Sequence, residues 1–372
     1  TLTALTQLVS NIGWVGAMLV AFGLVFESLT GTPLEVGIIG GATVVFIYTM
    51  VGGMWAVALT DSYQMVIIMI GLVVLFFAVL TDVGGWSTIQ PQLPENTFRL
   101  LPLQNDWEHW LNYFRLWFIF GLADVANQNL LGRAMAARSE RVALNSFYFA
   151  SAGYLLFGMI PVLLGIIASV TMPGLGDSES VIPALAIQHL HPVAVAVFVG
   201  AVLAAIMSSC DSALLACASI TSRNLLPLVL KSPSDKQTLL VARIVIPVCG
   251  IVAVIVALKA QVVFDVMIDA NLLTLTAIVM PFVLAVWWKK ANRTGALSAM
   301  VVGFSSWLIT RAVAPELPGD MIGLLASLLT MLVVSSLTQD FDPPRAVVDI
   351  DGNPVALNDR LGLPGRDVAT SA

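Results

Sequence analysis

The sequence predicts an all-α polytopic membrane protein, a transmembrane helix bundle of about ten spans. Three observations predict it. The chain of 372 residues is 58% hydrophobic and only 11% charged, with a mean hydropathy of +0.92. A soluble domain carries roughly 25% charged residues, so this chain lacks the polar groups to cover a water-exposed surface. The remaining charges cluster in short gaps between apolar runs of about 20 residues, the length at which a helix crosses a hydrocarbon core of about 30 Å. No stretch shows the short alternating strands of a barrel, which leaves helices as the spanning element, because they satisfy every backbone group within one segment.

The spans fall at roughly 7–29, 34–51, 61–82, 110–131, 143–170, 193–221, 241–262, 271–288, 296–314 and 320–338. Turn residues mark several borders: Gly31-Thr32-Pro33, Gly52-Gly53, Gly84-Gly85 and the stretch from Pro315 to Gly319. Pro161, Pro247 and Pro281 lie inside spans, where each is expected to kink or break its helix.

Lys and Arg give the orientation. One set of loops holds Arg133, Arg138 and Arg141, then Arg223, Lys231, Lys236 and Arg243, then Lys289, Lys290 and Arg293. The intervening connections hold only Arg99, Lys259 and Arg311. The basic loops are expected in the cytoplasm, with the C-terminus on the same side. The 83–109 loop then lies outside, with Trp86, Trp107 and Trp110 as interface anchors. Residues 339–372 change to a polar character, with Asp340, Asp342, Asp349, Asp351, Gly352 and Asn353, and read as a cytoplasmic tail too short for a catalytic domain. Cys210, Cys217 and Cys249 sit in apolar runs and read as small buried residues. Neither they nor His109, His189 and His191 show metal-ligand spacing. The chain begins at Thr1 with no signal peptide, which is expected of a sequence whose start lies elsewhere.

Polar residues at membrane depth are functional candidates by default, and three clusters stand out. In the sixth span, Ala205, Ser208, Ser209, Asp211 and Ser212 fall near mid-membrane, on or beside a small-residue stripe that recurs from Ala201 to Ser219. Such a stripe packs helices closely, with hydroxyls bonded to backbone carbonyls. It equally offers a sodium ion two hydroxyls and a carbonyl one turn earlier. Asp211 either faces an ion or water path or bonds a neighbouring helix. In the fourth span, Asp124-Val125-Ala126-Asn127-Gln128-Asn129 places four polar side chains within six residues; they line a solute cavity or bond one another across helices. At the start of the third span, Thr60-Asp61-Ser62-Tyr63-Gln64 reads as a helix N-cap at Thr60 or Asp61, an account that leaves Gln64 unexplained.

A resemblance now becomes specific. Gly31 to Ala56, ending in Tyr48-Thr49-Met50-Val51-Gly52-Gly53-Met54-Trp55-Ala56, resembles the signature of the sodium:solute symporter family, and Ala58 to Gln64 resembles the stretch after it. Arg133 to Ser139 is similar to the family's basic inner loop, and Pro281-Phe282 with Trp288 to Ala296 to a third family stretch. Together these cover the chain to about residue 338. The resemblance implies the LeuT-like fold, a five-plus-five inverted repeat with ion and solute near the midplane at broken helices. On that register the symporter domain is 1–338, the complete second repeat is 110–290, and spans nine and ten are peripheral. The helices before the third core helix are not in this sequence, so the chain alone is not expected to hold the whole site.

Carried over by residue, the resemblance implies a sodium site at the Ala205 carbonyl and the Ser208 and Ser209 hydroxyls, completed by carbonyls of the first core helix. It implies a place for Asp61 on the ion's cytoplasmic route, with Asp211 a further candidate there. It implies a solute-facing role for Asn127 and Gln128, to which Asp124 is added as a hypothesis. The implied function is sodium-coupled symport of a small organic solute across the inner or plasma membrane by alternating access. No bond is made or broken, so this is a transporter and not an enzyme. The expected partners are sodium, the solute and the bilayer, with no nucleic acid and no cofactor beyond the coupling ion. The rival readings are a symporter-like sensor module of a signalling protein, a degenerate remnant, and a proton-coupled carrier of the same fold using Asp211.

Overall fold

The structure, a computed structural model, describes residues 1–175, 178–260 and 262–346, without the side chains of 53–56 and 178. The later tail residues (Asp349, Asp351, Gly352 and Asn353) and the side chains that end the signature stretch therefore lie outside the described residues. Helices follow one another in chain order: α1 (Leu2–Thr30), α2 (Leu34–Asp82), α3 (Trp86–Ile89), α4 (Trp107–Trp117), α5 (Gln128–Met135), α6 (Glu140–Phe157) and α7 (Met159–Thr171). Then come α8 (Val181–His189), α9 (Pro192–Ile220), α10 (Leu226–Val229), α11 (Asp235–Lys259), α12 (Val263–Thr274), α13 (Met280–Trp287), α14 (Arg293–Val313) and α15 (Gly319–Leu337). No strand occurs among the described residues.

Among the described residues, nine of the ten expected spans fall on helical stretches long and apolar enough to cross a membrane, the second and third being two parts of α2. The fourth is the exception. Between α4 and α5 the backbone passes through a π turn at Phe118–Leu122 and a 3-10 turn at Ala123–Ala126, then becomes extended at Asn127 (φ −73°, ψ 123°). The expected boundary at Gly52-Gly53 is also corrected, because α2 stays helical from Leu34 to Asp82. Glycine costs a helix roughly 1 kcal/mol against alanine, too little for two of them to end a helix continued by strongly apolar turns on either side. The N-cap reading of Thr60 and Asp61 falls with it. Both lie inside α2, and the Thr60 hydroxyl donates to the Val57 carbonyl. Of the prolines, Pro161 sits in the first turn of α7 just after the break at Gly158, and Pro281 follows a π turn at Leu275–Val279. Pro247 is carried inside the continuous α11.

The chain forms two compact units that alternate along the sequence. One comprises Thr1–Ser10, Gln104–Leu130 and Ile268 onward; the other comprises Asn11–Leu103 and Leu131–Met267. In the first, α14 and α15 pack at close range through glycines. A Cβ on Gly303 would collide with the Thr276 carbonyl and lie 2.7 Å from the Ser327 Cβ, so only a bare backbone fits. Close backbone approach at small residues is how helices associate where lipid offers no hydrophobic drive. The start of the tail is tied to this unit. The Asp342 carboxylate accepts from the Thr294 amide and hydroxyl, both at 2.7 Å, and Asn292 donates to the Asp342 carbonyl at 2.8 Å. Thr294 thereby holds the Asp342 carboxyl below the usual carboxylate range. Elsewhere in this unit, Asp106 caps α4 through the His109 amide.

In the second unit Leu75, Val79, Ile89, Leu164, Ile167, Leu185 and Phe198 form a buried core, with Trp86 packed against its edge. Trp107, by contrast, is exposed on the first unit. Cys210, Cys217 and Cys249 are free and buried.

Two outcomes test this packing. Gly303→Ala should cost about 1–3 kcal/mol, read as a lower midpoint in detergent thermal unfolding. The Asp342 cap, present when the carboxylate is ionised, should be lost as pH falls through its depressed pKa, below 3.8. Asp342→Asn should abolish that part of the acid-induced fall in midpoint.

Candidate functional site: two polar constellations at membrane depth

The first constellation is the break in the fourth span, built wholly within the first unit. The 3-10 turn brings the Asp124 carboxylate to the Asn127 side-chain amide (3.3 Å). The Asn127 side-chain oxygen accepts the Asn129 amide at 2.9 Å, so Asn127 caps α5 and fixes where helix resumes. Breaking a helix frees carbonyls that lipid cannot serve. One of them, on Ala126, accepts from the Gln7 side chain of α1 at 2.8 Å. Three residues further along α1, Ser10 donates to the Ala270 carbonyl at 2.8 Å and lies 3.0 Å from the Thr274 hydroxyl. Gln7 and Ser10 are buried, and sequence reasoning missed both. The available signal was a pair of polar residues three apart in an apolar helix. Of the predicted solute residues, Asp124 and Asn127 are brought together, and Gln128 opens α5 one residue later.

The second constellation lies wholly in the second unit, on α9. Ala205 and Ser208 are half-buried and Ser209 is exposed. The Ser209 hydroxyl donates to the Ala205 carbonyl at 3.2 Å, which is the helix-bonded arrangement that a packing stripe also gives. A hydroxyl that donates in this way still presents its oxygen lone pairs. Ser208, Asp211 and Ser212 share a face at helical spacing, so the three expected ion ligands run directly into a chain of charged and polar groups.

Asp211 is fully buried. It accepts from the Tyr48 hydroxyl of α2 at 2.8 Å and from Ser212 at 3.3 Å. Tyr48 also lies 3.0 Å from the Met207 carbonyl. Asp211 therefore bonds a neighbouring helix, one of its two expected alternatives. Beyond it, one nitrogen of the Arg133 guanidinium donates to both Ser212 (2.7 Å) and Asp61 (2.8 Å). Ser212 belongs to the sixth-span polar cluster, whereas Tyr48, in the signature stretch, and Arg133, in the first basic loop, carry no site role in the sequence reading. Sequence carries no sign that residues 48, 61, 133 and 212 meet. Beside this chain, Ile47, Tyr48, Val51, Thr60, Gln64 and Met207 help line a cavity of about 620 Å³, and the Gln64 side-chain oxygen is buried without a hydrogen-bond partner among the described residues.

The Tyr48–Asp211 bond is testable directly. Tyr48→Phe should destabilise the protein by about 1–2 kcal/mol, measured by unfolding in detergent. With Asp211→Asn already present the same change should cost clearly less, because the two residues act as one unit.

The chain matches the family model described as "Sodium:solute symporter family" over residues 1–303. It is 30% identical over 325 residues to the high-affinity choline transporter 1 of Drosophila melanogaster, an alignment covering 81% of this chain and 50% of that protein. It is 27% identical to the osmoregulated proline transporter OpuE of Bacillus subtilis, covering 85% and 66%, and 27% identical to a sodium/proline symporter of Staphylococcus aureus, covering 90% and 68%. The chain thus spans about half the length of the choline transporter and about two thirds of the proline transporters. Its fold is similar to that of a Na+-coupled sialic acid symporter solved in a substrate-bound outward-open state, with a TM-score of 0.73 at 21% identity over 90% of this chain and 74% of that one. The fold is accordingly that of the LeuT-like transporters the sequence predicted. This multi-pass membrane chain, with a break at the polar cluster of its fourth span and paired serines on its sixth, belongs to the sodium:solute symporter family.

Proposed function

We propose that the protein of which this chain is part imports a small organic solute through the cytoplasmic membrane, driven by sodium. The observation that carries this reading is the interruption of the fourth span at Asp124–Asn127, since unwound segments at membrane depth are tolerated where they line a ligand cavity. Family membership supports sodium as the coupling ion. On this reading sodium is held by the Ala205 carbonyl and the Ser208 and Ser209 hydroxyls, together with groups outside this sequence. The solute meets Asn127 and Gln128, with Asp124 suited to a solute that carries a positive charge. Asp61 and Asp211 serve the cytoplasmic route of the ion.

Relatives named for choline and for proline direct attention to quaternary amines and amino acids. Both classes carry a cationic nitrogen that a carboxylate can face. The basic loops starting at Arg133, Arg223 and Lys289 support a cytoplasmic placement of those loops and of the tail. The register 1–338 for the symporter domain, with 110–290 as its second repeat and 339–372 as the tail, belongs to the same reading. Coupling follows when ion and solute both bind one of two conformations better than the other.

The test is uptake of radiolabelled choline, proline and a wider solute panel into proteoliposomes of the full-length protein, with and without an inward sodium gradient. Sodium-dependent uptake that falls at least about tenfold in both Ser208→Ala and Ser209→Ala is the expected result. Uptake indifferent to sodium and to both serines, but driven by a pH gradient and lost in Asp211→Asn, would replace sodium by protons. The fully buried Asp211 is the observation that keeps this second reading in play.

A further inference from the structure

Arg133 stands where a mobile cation would compete with it. Its guanidinium cannot be deprotonated in a protein, and it lies between an anionic and a hydroxyl oxygen of two different helices, Asp61 on α2 and Ser212 on α9. The fork of an arginine ordinarily grips a carboxylate through two parallel bonds. Here one nitrogen serves both partners, so Asp61 is held through one oxygen only. The other oxygen, Oδ1, is buried with no hydrogen-bond partner among the described residues. The two sides of the pair also differ in environment, with the Arg133 side chain 52% exposed and the Asp61 side chain 14% exposed. A side chain so exposed gives up little packing when it leaves, whereas the carboxylate it abandons needs another positive partner.

The line of oxygens behind Asp61 leads to the expected ion ligands. Ser212 donates to Asp211, and Asp211 and Ser212 lie three and four residues beyond Ser208 on one face of α9. From this geometry we propose that Arg133 is a tethered cation that shuts the cytoplasmic end of the ion path, and that the coupling ion and the guanidinium occupy Asp61 alternately. While Arg133 bridges Asp61 and Ser212 it neutralises the carboxylate and pins α2 to α9. An ion arriving at Asp61 from Ser208 and Ser209 displaces the guanidinium into water, gains both carboxylate oxygens, and leaves α2 and α9 free to part. When the ion departs, Arg133 returns and prevents re-entry from the cytoplasmic side. This rests on the assignment of Asp61 to the sodium route made above.

The test is equilibrium binding of radiolabelled sodium to the purified full-length protein without solute, comparing wild type with Arg133→Gln, Arg133→Lys, Ser212→Ala, Asp61→Asn and the double variant Arg133→Gln/Asp61→Asn. Competition predicts that Arg133→Gln, which keeps hydrogen-bond donors and loses the charge, binds sodium about fivefold tighter. Arg133→Lys should stay within about twofold of wild type. Ser212→Ala, which removes only the second anchor of the guanidinium, should tighten binding by a smaller factor of about two. In the Asp61→Asn background Arg133→Gln should change nothing. A purely structural Arg133 would weaken binding or leave it unchanged on removal, and either result overturns the proposal while leaving the sodium reading intact. Equal tightening in the Asp61→Asn background overturns it as well, since the effect would not then pass through Asp61. Wild-type protein that binds no sodium at all would take the proposal and the sodium reading down together.

Discussion

Hydrocarbon offers a backbone N–H or C=O nothing to bond, so within a membrane every departure from helix must be served by another part of the protein. The rest of this structure follows from that constraint. Most of the chain meets it with uninterrupted helix, even across Gly52-Gly53 and Pro247. Where the fourth span departs, the repair is visible atom by atom. Asn127 caps the resumed helix and Gln7 takes the freed Ala126 carbonyl. A break maintained by dedicated side chains from another helix is a built feature, and its cost is offset only if the irregular backbone does something there. The polar side chains gathered at it, Asp124 and Asn127, bond each other and the start of the resumed helix.

The same constraint acts on charge. Asp211 is fully buried and answered by Tyr48 and Ser212, while the mostly buried Asp61 is answered by the half-exposed Arg133. An intramembrane carboxylate is tolerated only with such partners, so the packing of these helices depends on each of them. Tyr48, Ser212 and Arg133 therefore matter to how these carboxylates are held. The first unit manages its carboxylates in the same way: the nearly buried Asp320 is held by the Arg115 guanidinium at 2.8 Å.

Composition and the spacing of apolar runs determined the fold class, nine of the ten expected spans among the described residues and the polar clusters worth examining, because the cost of placing charge in lipid is written into each local stretch. The signature residues, read as a resemblance, pointed to the family that the comparison then showed. The local sequence did not decide whether the fourth span was whole or broken. A polar cluster such as Asp124 to Asn129 is compatible with a straight helix whose side chains bond across to neighbours, and only the Gln7 side chain, more than a hundred residues away, makes the interruption affordable. The N-cap expected at Thr60 or Asp61 failed for a related reason. Two adjacent glycines cost a helix only about 2 kcal/mol, and α2 runs on through them. Tertiary structure alone decided the partners: that Asp211 bonds Tyr48, and that Asp61, Arg133 and Ser212 share one guanidinium nitrogen. Such pairings are set by how helices cross and rotate against one another, a property of packed surfaces that no single stretch of sequence carries.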